Sequence, residues 1–112
     1  MIHRTYKTEP IKENPHKVDV RRLYDDKSAQ LMHITLQTGE TLKAHKTPVD
    51  VCFYILEGNP TIHIGDESVS YPADTLIESP AMVVHHISNE NDGLARILVI
   101  KAPRPEHKTR LL

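Results

Sequence analysis

The chain is built from short segments of strand length, separated at short and even intervals by turn-forming residues. From residue 18 onward these segments read VDVRRLYDD, AQLMHITLQ, VDVCFYILEG, TIHI, ESVSY, TLIES, MVVHHI and ARILVIKA. Glycine, asparagine, aspartate and proline stand between most of them, as is typical of tight turns. No window of ten or more residues has a helical period. The pattern predicts an all-β sandwich or barrel.

The length of 112 residues predicts a single domain. Residues 1–17 carry Pro10 and Pro15 among polar residues, which predicts an irregular N-terminal arm with room for one edge strand. Residues 18–102 are predicted to form the barrel, and residues 103–112 a C-terminal tail.

Charge and composition exclude several classes of partner. With 14 basic and 15 acidic residues, the chain has neither the basic footprint of a nucleic-acid-binding protein nor a polybasic membrane surface. No apolar run approaches the ~20 residues that cross a bilayer, and the N-terminus lacks the apolar core of a secretory signal. We therefore expect a cytoplasmic protein. Cys52, the only cysteine, cannot form an intrachain disulfide.

Two histidine-bearing segments, Gly39–Gly58 and Ser79–Asn89, are the strongest candidates for a functional site. Both are strand-like, and a hairpin separates them, so a β-barrel could bring His45 and His85 together in its interior. The chain contains eight histidines. Three of them lie in polar segments and are interpreted as surface residues: His3, His16 and His107.

The first of these segments resembles the first motif of the cupin family, whose members are small antiparallel double-stranded β-helix barrels of the jelly-roll type. Gly39, His45 and Gly58 match the glycine, first histidine and closing glycine of that motif. Thr47 stands at the position of its second histidine, and Val51 at the position of its glutamate.

The second segment resembles the second cupin motif. Pro80, His85 and Asn89 match it at the family's spacing, whereas Met82 stands where glycine is usual. The resemblance extends from about Leu31 to Ala102. It implies an all-β cupin barrel, and small cupins commonly form homodimers. Because cupins carry many activities, the resemblance is specific for fold and much less so for function.

A cupin metal centre uses three histidines and one glutamate, a donor set that suits Fe, Mn, Ni, Cu or Zn. Here the resemblance implies His45 and His85 as ligands, whereas a threonine hydroxyl is a poor ligand and Val51 cannot bind a metal. Asp50 is a candidate third ligand if a bulge turns it inward, although an aspartate just before a strand is more often a turn or capping residue.

Three further histidines could also complete the ligand set: His33, His63 and His86. The alternative for His33 and His63 is a strand position that faces solvent or a loop. His86 is adjacent to His85 and would then face outward, because neighbouring strand residues point to opposite faces.

The leading hypothesis is a cupin of unassigned activity that binds a small molecule, with a divalent metal at His45 and His85. Such a metal would imply dioxygenase or isomerase chemistry. The alternative is a metal-free, non-catalytic ligand-binding or regulatory module, which the two replaced ligand positions favour. The residues predicted to line the pocket are Thr47, Val51, Phe53, Ile87 and Asn89.

Overall fold

The structure is a computed structural model, which describes residues 1–106 and the backbone of residues 110–111. Its regular elements in this part of the chain are all β-strands, and every strand pairing is antiparallel. The all-β fold predicted from the sequence is thereby confirmed. No helix of the described residues is long and apolar enough to cross a membrane.

The strands, in chain order, are β1 (Asp19–Asp26), β2 (Ala29–Leu36), β3 (Thr41–Lys46), β4 (Val51–Glu57), β5 (Thr61–Ile64), β6 (Glu67–Ser70), β7 (Leu76–Ser79), β8 (His85–Ser88), β9 (Ala95–Lys101) and β10 (Arg110–Leu111). They form two five-stranded sheets. The order is β1-β2-β9-β4-β7 in the first sheet and β10-β3-β8-β5-β6 in the second.

The hydrophobic core lies between the two sheets. Along β4, Val51, Phe53 and Ile55 are buried while the residues between them are only half-buried. The same alternation runs along β9, where Ala95, Ile97 and Val99 are the buried residues. A period of two residues places one side of each strand in the core. Burying a large aliphatic or aromatic side chain contributes about 1.5–3 kcal/mol, so this alternation fixes which side chains face the interior.

The loop before β8 explains why that strand begins at His85 rather than at Met82, where the sequence predicted its start. Met82 adopts a left-handed backbone conformation with φ of 64°. Its N–H donates to the carbonyl of Thr47 at 2.9 Å, so Met82 belongs to a turn. Glycine is the residue that adopts this conformation most readily, and glycine is usual at this position of the motif that the segment resembles.

The N-terminal arm packs on the outer face of the first sheet, where Tyr6 covers His33. The two rings are stacked with centroids 4.2 Å apart, and the guanidinium of Arg96 lies 4.5 Å from the Tyr6 centroid. Arg21 donates hydrogen bonds to the carbonyls of Tyr6 at 2.7 Å and Glu9 at 3.1 Å. These contacts hold the arm along the sheet. Among the described residues, the β-pairing of the arm consists of a single isolated bridge between Ile11 and Arg21.

The C-terminal segment reaches the second sheet. There β10 pairs with β3, with Arg110 opposite Lys46 and Leu111 opposite His45. The segment predicted as a tail therefore includes a short edge strand. His107, interpreted from the sequence as a surface residue, lies outside the described residues.

Because His33 is buried, we expect the protein to lose part of its free energy of unfolding at acidic pH. Its side chain is 1% exposed, and neither ring nitrogen has a hydrogen-bond partner in the described part of the chain. Burial, followed by repulsion from Arg96, lowers the pKa of His33 from 6.5 to about 4. Between these two pH values the unfolded chain binds more protons, so the free energy of unfolding falls as the pH falls.

We expect His33→Phe, which keeps an aromatic ring against Tyr6, to lose less stability than the wild type between about pH 6.5 and about pH 4. Urea unfolding across this range measures the difference. His3→Phe changes an exposed histidine of the arm and should follow the wild-type curve. An identical loss of stability in His33→Phe and wild type would contradict the prediction.

Candidate functional site

His45 and His85 meet inside the barrel because they pair directly across β3 and β8. The register between the strands shifts between Leu42 and His45. A bulge of this kind changes which face a residue occupies, so Leu42 and His45 are both buried although they are three residues apart. Thr47, two residues beyond His45, is buried beside the pair. Strand periodicity predicts from the sequence that His45 and Thr47 share a face. The bulge could not be predicted, because no local sequence signal marks it.

A chain of hydrogen bonds links the two imidazoles to the barrel wall. His45 Nδ1 lies 2.6 Å from the carbonyl oxygen of Lys43. His45 Nε2 lies 3.0 Å from His85 Nε2, and His85 Nδ1 lies 2.6 Å from Ser79 Oγ. A branch reaches Thr47, whose Oγ1 is 3.3 Å from His85 Nε2.

The Lys43 carbonyl determines the direction of this chain for two neutral imidazoles. A carbonyl can only accept, so His45 donates from Nδ1, and its Nε2 is then an acceptor. His85 therefore donates from Nε2 to His45. Its own Nδ1 accepts from the Ser79 hydroxyl. The direction of every hydrogen bond from the Lys43 carbonyl through His45 and His85 to the Ser79 hydroxyl is thus defined. All of these bonds form while both imidazoles are neutral.

Both imidazoles favour the neutral state. Burial, followed by repulsion from His45 and Lys101, lowers the pKa of His85 to about 3. Burial also lowers the pKa of His45, although the hydrogen bond to the Lys43 carbonyl opposes that change. At neutral pH the pair is thus a polar, uncharged group embedded in the core.

A cavity of about 540 Å³ adjoins the histidine pair. Apolar side chains from both sheets form most of its wall: Val20, Met32, Ile34, Leu42, Phe53 and Val99. Asn14, Pro15 and His16 of the N-terminal arm and Pro105 and Glu106 near the C-terminus also contribute to the lining. The two chain ends therefore lie beside a cavity whose interior the two sheets define.

Of the residues predicted to line the pocket, Val51 and Phe53 do so. Thr47 touches His85 but is not part of the cavity wall. Ile87 is fully buried in the hydrophobic core. Asn89 donates from Nδ2 to the carbonyls of Leu36 and Gly93, each at 2.9 Å, and so holds two turns together away from the cavity.

Asp50 is not brought to the histidine pair. Its Oδ1 accepts a hydrogen bond from the Ala81 N–H at 2.8 Å, and the residue is exposed. The carboxylate thereby stabilises the loop that leads into β8. A bulge is present in β3, the strand before Asp50, but it lies between Leu42 and His45. It turns His45 inward and not Asp50.

The other candidate histidines also lie outside the cavity. His63 and His86 pair across β5 and β8, with rings stacked at 3.8 Å, on the face of the sheet opposite His85. Hydrogen bonds join His63 to Ser68 at 2.7 Å and to Ser88 at 3.0 Å. His33 lies on the outer face of the first sheet under Tyr6.

Two residues of the site were missed in the sequence. His16 was interpreted as a surface residue, but its Nδ1 accepts from the Lys43 N–H at 2.8 Å, and its ring centroid lies 5.3 Å from that of His45. No periodic signal exists in the irregular arm to reveal this. Lys101 also lines the cavity, and it follows Ala95, Ile97 and Val99 at the period of two, a signal that could have found it.

The residues present do not complete the four-ligand metal centre implied by the resemblance. The two imidazoles can offer nitrogen ligands, and each Nδ1 has a partner that would orient its ring. However, Val51 offers no donor atom, and Thr47 offers a neutral hydroxyl. Within the described residues, no group of three or more histidine, cysteine, aspartate or glutamate side chains could hold a metal ion.

The chain is similar to known proteins in both sequence and structure. The cupin domain family model matches residues 32–101. The uncharacterized protein MJ0764 of Methanocaldococcus jannaschii is 28% identical over 107 residues, which cover 95% of this chain and 90% of that protein. Its crystal structure, an RmlC-like cupin with a double-stranded β-helix fold, matches with a TM-score of 0.77 at 26% identity over 95% of both chains.

Two further crystal structures have the same fold. TT1209 from Thermus thermophilus has a TM-score of 0.80 at 26% identity, over 94% of this chain and 100% of that one. The polyketide cyclase RemF from Streptomyces resistomycificus has a TM-score of 0.84 over 100% of this chain and 85% of that one, but at 16% identity it shows the fold alone. With a family match over more than half of its length and these superpositions, the protein belongs to the cupin family and has its double-stranded β-helix fold.

Proposed function

We propose that this cupin binds a small amphipathic molecule inside its barrel, with the His45–His85 pair as a polar anchor. The observation that carries the proposal is the apolar cavity of about 540 Å³ beside two buried imidazoles. Cavities of roughly 300–1,000 Å³ with apolar walls and a few convergent polar groups are typical of sites for small molecules. In this cavity the histidine pair would supply the polar groups of such a site, and the wall would supply its apolar surface.

The histidine pair supports binding without a metal. Its imidazoles satisfy each other through the 3.0 Å contact between their Nε2 atoms, so both rings stay neutral without a bound ion. The long branch to Thr47 Oγ1, at 3.3 Å, is the weakest contact of the chain. A ligand hydroxyl or carbonyl near His85 could take over that branch at little cost.

The apolar wall supplies the affinity in this proposal. A ligand that covers Ile34, Phe53 and Val99 removes apolar surface from water, which is worth roughly 25 cal/mol per Å² before the costs of binding are subtracted. Because the His45–His85 pair borders a wall that is otherwise largely apolar, the ligand that fits best has an apolar body and a polar group that reaches the pair.

Val99→Phe should weaken binding by partly filling the cavity. Val99 is buried and lines the cavity wall, so a larger ring would extend into space that the ligand occupies. We expect wild-type protein to bind members of a graded series of phenylalkyl alcohols and acids with one-to-one stoichiometry, measured by isothermal titration calorimetry. In Val99→Phe the same members should show at least a tenfold weaker affinity, which corresponds to about 1.4 kcal/mol.

Val69→Phe is the matched control, since Val69 is 42% exposed and lies on β6, away from the cavity. It should bind like the wild type. Equal affinity in Val99→Phe and Val69→Phe would place the ligand elsewhere and contradict the proposal. Far-ultraviolet circular dichroism of all three proteins verifies that each variant keeps its β-structure.

A metal at the histidine pair is the second candidate function. One observation favours it: the two Nε2 atoms lie side by side, and each Nδ1 is oriented by a second residue, as is common for metal-binding histidines. A metal with open coordination positions would support the dioxygenase or isomerase chemistry that the resemblance implies. The loss of the carboxylate at Val51 favours the metal-free proposal.

We expect wild-type protein, loaded with Fe, Mn, Ni, Cu or Zn and then dialysed, to retain less than stoichiometric metal by elemental analysis. Two imidazoles without a carboxylate form a weak site. His45→Ala, His85→Ala and the control His63→Ala should then all resemble the wild type. Stoichiometric metal that is lost in the first two variants and kept in the control would overturn this expectation and establish the metal centre.

A further inference from the structure

We infer that the ligand of this cavity is an uncharged carbonyl compound, a ketone or an ester with an apolar body, whose oxygen accepts a hydrogen bond from Nε2 of His16. The inference rests on the proposed small-molecule binding and deepens it in two respects. It narrows the ligand to one chemical class, and it assigns a ligand-contacting role to a residue of the N-terminal arm.

The histidine pair has already used its own N–H donors. For two neutral imidazoles, His45 Nδ1 donates to the Lys43 carbonyl, and His85 Nε2 donates to His45 Nε2. The remaining nitrogen, His85 Nδ1, accepts from the Ser79 hydroxyl. Because a neutral imidazole carries a single N–H, a ligand oxygen beside the pair needs a donor from another residue.

His16 carries such a donor because of the way in which the Lys43 backbone holds its ring. The Lys43 N–H donates to His16 Nδ1 at 2.8 Å, so Nδ1 is the acceptor and carries no hydrogen. The one N–H of the neutral ring is then on Nε2. In the described part of the chain, His16 Nε2 has no hydrogen-bond partner. Its N–H is therefore available to a ligand.

The position of His16 fits this role, since its ring forms part of the cavity wall next to the histidine pair. The residue is half-buried and lines the cavity. Its ring centroid lies 5.3 Å from that of His45. With Nδ1 turned to the Lys43 amide, the Nε2–H points away from that amide. A ligand that fills the cavity as far as the pair therefore meets the His16 ring.

The turn that carries His16 is held together by the side chain of Asn14. Asn14 Oδ1 accepts from the His16 N–H at 3.1 Å. Asn14 Nδ2 donates to the carbonyls of Lys12 and Val18, each at 2.9 Å. The imidazole is thus positioned before a ligand arrives, and a donor that is already in place avoids part of the entropic cost of binding.

The charges around the cavity disfavour an ionic ligand. Burial is the main effect that lowers the pKa of His16, His45 and His85, so all three imidazoles are neutral at neutral pH. Lys101 also lines the cavity but already has an interaction partner, and Glu106 is an exposed carboxylate. A ligand carboxylate would lose its hydration without gaining a counter-charge, which is costly in a largely apolar cavity.

A carbonyl oxygen suits these surroundings better than an ion does. It accepts the one hydrogen bond that His16 offers, and it brings no donor that would itself need a partner. The rest of the molecule can then cover the apolar wall, which Ile34, Phe53 and Val99 help to form. The combination fits a ketone or an ester attached to an aliphatic or aromatic body.

The test uses three compounds that share one phenylethyl body: 4-phenylbutan-2-one, its carboxylate isostere 3-phenylpropanoate, and its alkene isostere 2-methyl-4-phenylbut-1-ene. Each is titrated calorimetrically with full-length protein near neutral pH. We expect the ketone to bind wild-type protein about tenfold or more tightly than the carboxylate, because the carboxylate loses its hydration in the cavity.

The variant His16→Asn keeps a side-chain oxygen in the place where Nδ1 accepts from Lys43, but it removes Nε2. We expect the ratio of the ketone affinity to the alkene affinity to fall about fivefold, as the loss of one neutral hydrogen bond predicts. The alkene affinity should stay within about threefold of the wild type. His16→Phe keeps an aromatic ring without nitrogens and should lower the ratio equally. His3→Asn, in an exposed part of the arm, should keep the wild-type ratio.

Gln30 is the other uncharged side chain that could donate to the carbonyl, because it also lines the cavity. Gln30→Met removes its amide and keeps a side chain of similar length. If the carbonyl binds at His16, this variant retains the wild-type ratio. A ratio that falls in Gln30→Met and persists in both His16 variants would overturn the assignment to His16.

The outcomes separate the two proposals. A carboxylate that binds wild-type protein as tightly as the ketone would overturn the inference and leave the small-molecule site standing. The same holds if both His16 variants keep the wild-type ratio. A complete lack of binding by all three compounds at millimolar concentration would overturn both the inference and the proposed function. Circular dichroism confirms that the variants are folded, and the comparison of ketone with carboxylate is decisive without them.

Discussion

The hydrogen bond between the Nε2 atoms of His45 and His85, 3.0 Å long, is the contact on which the site depends. It joins β3 to β8 immediately after the bulge, where the regular register has been interrupted. It also requires that one imidazole donate and the other accept, which the Lys43 carbonyl and the Ser79 hydroxyl make possible. Protonating both rings would place two positive charges in contact inside the core, so the fold and the neutral state of the pair stabilise each other.

The same arrangement explains how the barrel can tolerate the changes at Thr47 and Val51. In most proteins the nitrogens of a buried imidazole have hydrogen-bond partners, and a metal ion is only one way to provide them. Here Thr47, Ser79 and the Lys43 carbonyl share that role. Val51 meanwhile packs in the core with 1% of its surface exposed, which extends the apolar wall next to Lys101. Thr47 and Val51 are thus both compatible with this interior, in which the buried polar groups form hydrogen bonds with one another and the remaining wall is apolar.

The sequence predicted the all-β fold because period-two alternation and turn residues are local signals, and motif spacing singled out His45 and His85. It did not locate the β3 bulge, which arises from pairing with β8, or the hydrogen bond from Ala81 to Asp50, which joins residues 31 positions apart. His16 and the stack of Tyr6 on His33 depend on where an aperiodic arm docks. The cytoplasmic location and the homodimer implied by the family stay predictions, since both concern the surroundings of the chain.

The arm links the outer face of the barrel to its cavity. Tyr6 is held at one end by His33, Arg96 and Arg21, and His16 is held at the other by the Lys43 amide. Between them, the isolated bridge from Ile11 to Arg21 and the hydrogen bond from Arg21 to the Glu9 carbonyl also hold the arm, and together with the end contacts they determine how the arm lies on the barrel. The backbone of Lys43 contacts both histidines, since its N–H donates to His16 and its carbonyl accepts from His45. A change in the backbone at Lys43 would therefore alter one border of the cavity, through His16, and the orientation of His45 in its interior together.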